Sequence, residues 1–193
     1  FAPPPAGRRI PFALRGRVPR IRAVVDSLPG DFIIDTGDRS SLTLFLPFQR
    51  ENDLATRYPA RVEALTGWGI GGPIPATVLR VRNVNIGGFS ARDVITRLPG
   101  ENSGAFTAAD VAGSIGTGLL RRFDVVMDYP DSALWLTPNG RFERPDPWDR
   151  AGLWLARQGD RLEVRGVVAG GPADSAGLRV GDLILAVDGV PAA

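Results

Sequence analysis

The feature that most limits what this chain can fold into is the rhythm of its apolar residues between positions 10 and 137. They come in short runs separated by turn-forming residues, and a helical repeat is scarce. Ala76-Thr77-Val78-Leu79-Arg80-Val81-Arg82-Asn83-Val84-Asn85-Ile86 alternates over its central part, and Gly87-Gly88 then turns the chain into Asp93-Val94-Ile95. Ile10-Pro11-Phe12-Ala13-Leu14, Ile21-Arg22-Ala23-Val24-Val25, Phe32-Ile33-Ile34 and Leu42-Thr43-Leu44-Phe45 read as further strands, with a turn at Ser27-Leu28-Pro29-Gly30. Val125 to Tyr129 and Ala133 to Leu136 predict a hairpin around Pro130-Asp131-Ser132, and residues 118–123 have room for one short helix. The expected fold is therefore mostly β.

Chemistry is limited by what is missing. The chain contains no His, no Cys and no Lys, and all 23 basic residues are Arg. A Ser-His-Asp triad, a thiolate nucleophile, a cysteine zinc site, a Ser-Lys dyad and Schiff-base catalysis are all excluded. Arg keeps its proton at ordinary pH and cannot serve as a base. Without a cofactor, acid–base work falls to Asp and Glu. Net charge is only +2 and the arginines are interleaved with acids, which speaks against a nucleic-acid surface. No run approaches the ~18 consecutive apolar residues of a membrane span.

The carboxylate with the most suggestive setting is Asp35, in Asp35-Thr36-Gly37. It follows the apolar run 32–34 and precedes a second apolar run at 42–45. On its own the tripeptide is common enough to be a strand-end turn. Two further elements accompany it: Ser114-Ile115-Gly116, followed by Thr117-Gly118-Leu119-Leu120-Arg121-Arg122-Phe123-Asp124-Val125-Val126-Met127-Asp128-Tyr129, and the glycine-dense Gly67-Trp68-Gly69-Ile70-Gly71 between the two. With these three elements, residues 10–137 resemble the retropepsin-like aspartic proteases, especially bacterial members that carry a C-terminal PDZ domain.

The resemblance implies a retropepsin-like acid-protease β-barrel lobe that works as a homodimer, with two copies of Asp35 sharing one proton across a two-fold axis. One carboxylate would take a proton from water while the other polarises the scissile carbonyl. Thr36 would bond across the dyad, Gly37 would let backbone approach it, and Ser114, Ile115 and Gly116 would cross behind the loop. Residues 67–71 would be the flap over a peptide substrate, and no cofactor or metal is implied. Two departures stand out: Asp38 occupies a position where many relatives have a small residue and would shift the pH range of the dyad unless Arg39 pairs with it, and Ser114 replaces an apolar residue.

Residues 138–150 hold three prolines and six charged residues and read as a linker. Beyond them, Gly170 to Gly189 resembles the core signature of a PDZ domain. Pro172 suits a first helical turn, Gly177 a C-terminal cap, and Asp188-Gly189 a turn. Gly152, Leu153, Trp154 and Leu155 resemble the family's peptide-terminus loop, which recruits peptides by strand addition. Residues 151–193 are expected to be only the first part of such a domain. Residues 1–9 read as a Pro/Arg-rich tail whose start at Phe1 implies processing or engineering, and the resemblance implies a bacterial periplasm or envelope. The competing readings are an inactive retropepsin-like adaptor with a PDZ module, a metal-dependent hydrolase using carboxylates alone, and a PDZ-bearing serine protease, the last disfavoured by the missing His and Lys.

Overall fold

A computed structural model of the chain describes residues 7–69, 72–101, 104–147 and 149–192. The chain divides into two compact units. The first takes residues up to Arg61 and Leu79–Asp146; the second takes Val62–Val78 and the residues from Pro147 on.

The first unit is built on strands β1 (Arg8–Pro11), β2 (Ala13–Arg15), β3 (Val18–Val25), β4 (Leu28–Asp35) and β5 (Leu42–Leu44), then helices α1 (Leu46–Glu51) and α2 (Leu54–Arg57). Strand β6 (Val62–Gly69) and the first part of β7 (Gly72–Ile86) belong to the second unit; the rest of β7 returns to the first. Strand β8 (Phe89–Pro99), β9 (Gly113–Gly116), helix α3 (Thr117–Leu120), β10 (Phe123–Asp128) and β11 (Ala133–Pro138) complete the unit. One sheet runs in the order β2-β3-β4-β9-β5-β8-β7, and β1, β11 and β10 form a second.

Alternation explains the outer strands. Along β3, Ile21, Ala23 and Val25 are buried while Arg22 between them is exposed. The short β5 and β9 are buried at every position, as expected of strands covered on both faces. Phe32, Ile34, Leu42, Leu44, Ile115 and Leu119 join one apolar core with Leu79, Val81, Leu134 and Leu136.

Several expectations are displaced. The turn placed at 27–30 is the tighter pair Asp26-Ser27, with Val25 opposite Leu28. Both turn residues have positive φ, 43° and 74°, the handedness that a two-residue hairpin demands and that Asp tolerates. The Asp26 carboxylate also accepts hydrogen bonds from the Arg82 and Asn83 amides and the Tyr58 hydroxyl, which holds the turn against the neighbouring strand. Helices α1 and α2 are too short for a helical repeat to reveal them. Arg8 and Arg9, read as the end of a tail, begin β1 and pair with β11. The Arg8 guanidinium donates to the Gly87 carbonyl at 2.6 Å and lies 4.8 Å from the Phe89 ring centre. The stretch expected to link two domains is held to the first unit through residue 146. Phe142 packs on Phe89 and Phe123. The buried Asp146 accepts the Ile95 amide and pairs with Arg122 at 2.9 Å.

In the second unit, β6 and the first part of β7 form a hairpin with Trp68 opposite Pro73 and Gly69 opposite Gly72. Strands β12 (Leu153–Gln158), β13 (Arg161–Val167) and β14 (Leu183–Ile184) form a small antiparallel sheet, with α4 (Pro172–Ser175) between the last two. The expected strand over 183–187 is broken into β14 and β15 (Ala186–Val187). The latter pairs with β16 (Val190–Pro191) around Asp188 and Gly189, both of positive φ. Pro172 opens α4 and Gly177 follows its cap at φ +88°. The Leu65 side chain of β6 lies against Gly166 of β13, where an added Cβ would meet it tightly at 3.2 Å. No helix among the described residues is long and apolar enough to cross a membrane.

Candidate active site

Asp35 is the last residue of β4, so the apolar strand that buries Phe32 and Ile34 delivers its carboxylate to the strand's end, where it is half-buried. The loop 36–41 then turns back into β5. Between β4 and β5 lies β9, parallel to the first and antiparallel to the second. The register sets Gly116 beside Asp35, Ile115 beside Ile34 and Leu42, and Ser114 beside Ile33 and Thr43. Sequence motifs about eighty positions apart thus meet in one place.

The loop is pinned mainly by backbone. Asp35 Oδ1 accepts the amides of Gly37 at 2.9 Å and Asp38 at 3.2 Å. The Gly116 amide donates to the Ser41 carbonyl, the Thr117 amide to Asp38 and the Gly118 amide to Ser40, at 2.7–3.1 Å. This approach leaves no space at Gly116, where a Cβ would sit 2.2 Å from the Ser40 carbonyl oxygen and 2.6 Å from that of Asp38. Glycine at 116 is therefore a steric requirement. Thr36 and Gly37 are exposed beside the carboxylate. Ser114 is buried, and its hydroxyl has no hydrogen-bond partner among the described residues. A buried hydroxyl without a partner gains nothing over an apolar side chain.

The structure supplies a residue that the motifs did not reveal. Arg97 on β8 is buried and pairs with Asp38 at 2.6 Å. This partner of Asp38 lies 59 positions along the chain. Burial lowers the Arg97 guanidinium's hold on its proton, and the negative charges of Asp38 and Asp35 counter this. Its signal in the sequence is an arginine within an apolar strand, between Thr96 and Leu98. Such a charge is kept only where a buried carboxylate meets it.

The remaining site residues lie in the second unit. Gly67 and Trp68 are on β6 with the Trp68 side chain exposed, and Gly69 ends the strand. Ile70 and Gly71 lie outside the described residues. In the loop read as a peptide-terminus site, the amides of Gly152 and Leu153 donate to the Asp149 carboxylate at 3.1 and 3.2 Å. Trp154 and Leu155 run on into β12, which is an edge of its sheet.

Comparisons with known proteins give the following. The PDZ domain family is matched by residues 163–192. Among solved structures, a retropepsin-like aspartic protease from Rickettsia conorii is similar at 20% identity and a TM-score of 0.49. That match covers 67% of this chain and 89% of the other. The EIAV protease, solved with the inhibitor HBY-793, is similar at 13% identity and a TM-score of 0.37, covering 56% of this chain and 90% of that one. No curated protein matches the chain in sequence. Over residues 163–192 the chain is thus similar in sequence to PDZ domains.

Proposed function

We propose that this chain is an aspartic endopeptidase whose active site is completed by a second copy of itself. The observation that carries the reading is the seat of Asp35. A carboxylate at the end of a buried strand has one oxygen fixed by two amides, in a loop that a strand inserted behind it makes rigid. The two amides alone are what any Asx turn supplies; the strand inserted behind the loop adds the preorganisation that a general base needs. One Asp35 supplies one carboxylate, whereas hydrolysis by this chemistry takes two, one ionised and one protonated. A two-fold dimer brings the pair together, and like charges at close range retain a single proton between them. The ionised member takes a proton from water, the water oxygen attacks the peptide carbonyl, and the protonated member polarises that carbonyl. The exposed Trp68 between glycines suits the β6–β7 hairpin to the role of a mobile lid, and the edge of β12 would take an extended peptide by strand addition.

Peptide hydrolysis between pH 3 and 7, inhibited by a statine-type transition-state analogue and abolished by Asp35→Asn, is the expected result. Activity per subunit falls on dilution, and Asp35→Asn protein added in excess suppresses the wild type by forming mixed dimers. Hydrolysis that survives Asp35→Asn removes this site from consideration. Absence of hydrolysis in both proteins favours the adaptor reading.

A further inference from the structure

Asp38 places an extra carboxylate beside Asp35, and several elements converge to hold it. Its side chain and that of Arg97 are each 10% exposed, with Nη2 of Arg97 2.6 Å from Asp38 Oδ2. The same guanidinium donates through Nε to Thr43 Oγ1 at 2.6 Å, and the Thr43 hydroxyl lies 3.5 Å from Asp38 Oδ2. Asp38 Oδ1 accepts the Ser40 amide at 2.9 Å. The Asp38 carbonyl accepts both the amide and the hydroxyl of Thr117, at 2.7 and 2.8 Å. Asp38 is thus tied to β8, to β5 and to the junction of β9 with α3, while its own amide donates to Asp35 Oδ1. Whatever moves Asp38 moves a donor on Asp35.

The charges around this cluster are few. Arg97 comes from β8, and Asp35 and Arg39 flank Asp38 on its own loop; these are the charges that act on Arg97. Strand β5 and residues 113–120 bring no ionisable side chain. The Arg97 guanidinium lies 5.3 Å from the centre of the Phe106 ring, a position that favours a cation. Arginine stays charged at any pH used for such an assay, so Asp38 always meets an opposite charge.

We propose that Arg97 is a positioning residue for the Asp35 site: its charge cancels that of Asp38, and its bonds to Asp38 and Thr43 keep the Asp38 amide on Asp35. This rests on the protease reading above and adds to it the device that lets an acidic residue stand beside the dyad. Asp38 and Arg97 form one neutral pair, and losing either half changes the charge beside the dyad by one unit of known sign.

The test follows the Asp35 carboxyl by NMR titration of the full chain carrying isotope-labelled aspartate, alongside pH profiles of kcat and kcat/KM. Arg97→Met removes one positive charge from beside Asp38, so the Asp35 titration and both limbs of the pH profile move to higher pH, by about half a pH unit or more. Asp38→Asn leaves the Arg97 charge bare and moves them to lower pH. The double variant returns close to wild type. Arg97→Lys keeps the charge without the forked geometry; the pH limbs stay and kcat falls more than KM changes. A purely structural ion pair would cost stability in every variant and leave the Asp35 titration where it was, which overturns the proposal. Should Arg97→Met not fold, Asp38→Asn decides alone: a downward move supports the proposal and an unmoved curve overturns it. A wild type without hydrolysis refutes the protease reading, and the NMR titrations still decide the role of Arg97.

Discussion

The two units of this chain are held together in different ways. In the first, buried apolar side chains from nearly every strand meet in one core, from Ile10 and Ile21 to Leu134 and Leu136. In the second, Ala76, Val164 and Ala173 are the buried apolar residues among those described, while Leu155, Val180, Leu183, Leu185, Val187 and Val190 are exposed. Order in the second unit comes from local devices: α4 with its opening proline, tight turns at Gly159 and Asp188-Gly189, and amides gathered by Asp149 and Asp174. Burial scales with area removed from water, whereas each local hydrogen bond contributes only about 1 kcal/mol net. Asp35 therefore lies in the unit better able to resist deformation. The β6–β7 hairpin and strand β12 lie in the unit that opens at lower cost.

That contrast can be broken by paired substitutions, read for each unit by hydrogen exchange and thermal unfolding. The largest effect is expected at the Arg122–Asp146 pair, whose side chains are 3% and 4% exposed. Arg122→Met strands a buried carboxylate and costs the first unit about 3–5 kcal/mol, whereas Arg179→Met, at the exposed Arg179–Asp174 pair of the second unit, costs under about 1 kcal/mol. Equal losses would abolish the distinction. Next come the side chains of the core. Leu134→Ala leaves a cavity and costs about 2–5 kcal/mol, whereas Leu185→Ala, at an exposed position, stays within about 0.5 kcal/mol.

Glycines sharpen the comparison further. Gly116→Ala drives a methyl into the carbonyls of Ser40 and Asp38, costs about 1–3 kcal/mol, and removes hydrolysis by displacing the catalytic loop. Gly159→Ala has open space and meets only the strain of φ +64°, about 1 kcal/mol, with hydrolysis kept. The smallest effect concerns pH. Burial, and then the hydrogen bond to Asp26, raise the Tyr58 phenol above its ordinary value. Its contribution to the first unit is thus fully present below about pH 10, the value of the unfolded phenol. It is lost as pH rises from there through the higher folded value. Tyr58→Phe costs about 1 kcal/mol near neutrality and flattens the alkaline loss of stability; an unchanged alkaline slope would show that Asp26 holds its turn without Tyr58.

Much of the architecture was legible because it is written locally. The alternation over 76–86 marks the core of β7, and the residues around Pro130 mark the β10–β11 hairpin. Pro172 and Gly177 bracket α4 because their backbone preferences act on their own turn. The turn at Asp26-Ser27 was misplaced by one or two residues because its hand depends on an aspartate accepting φ 43°, which a search for glycine and proline overlooks. Helices α1 and α2 span six and four residues, too few for periodicity to register. The stretch 138–146 looks like a linker by composition, yet Phe142 and Asp146 anchor it; composition counts prolines and charges without seeing which of them find partners.

By itself the sequence determined which chemistry was possible. With His, Cys and Lys absent, any acid–base work done without a cofactor falls to a carboxylate, and the sequence marked Asp35 at the end of an apolar strand. Those facts depend on residue identity and on near neighbours in the chain. Tertiary structure decided the rest: that β9 enters between β4 and β5, that Gly116 touches the loop where no side chain fits, and that the charge on Asp38 is met by Arg97. Strand order selects such partners across long stretches of chain, and backbone preference acts over a few residues at most. A buried charge therefore announces in the sequence that it needs a partner, and only the folded sheet shows which residue that partner is.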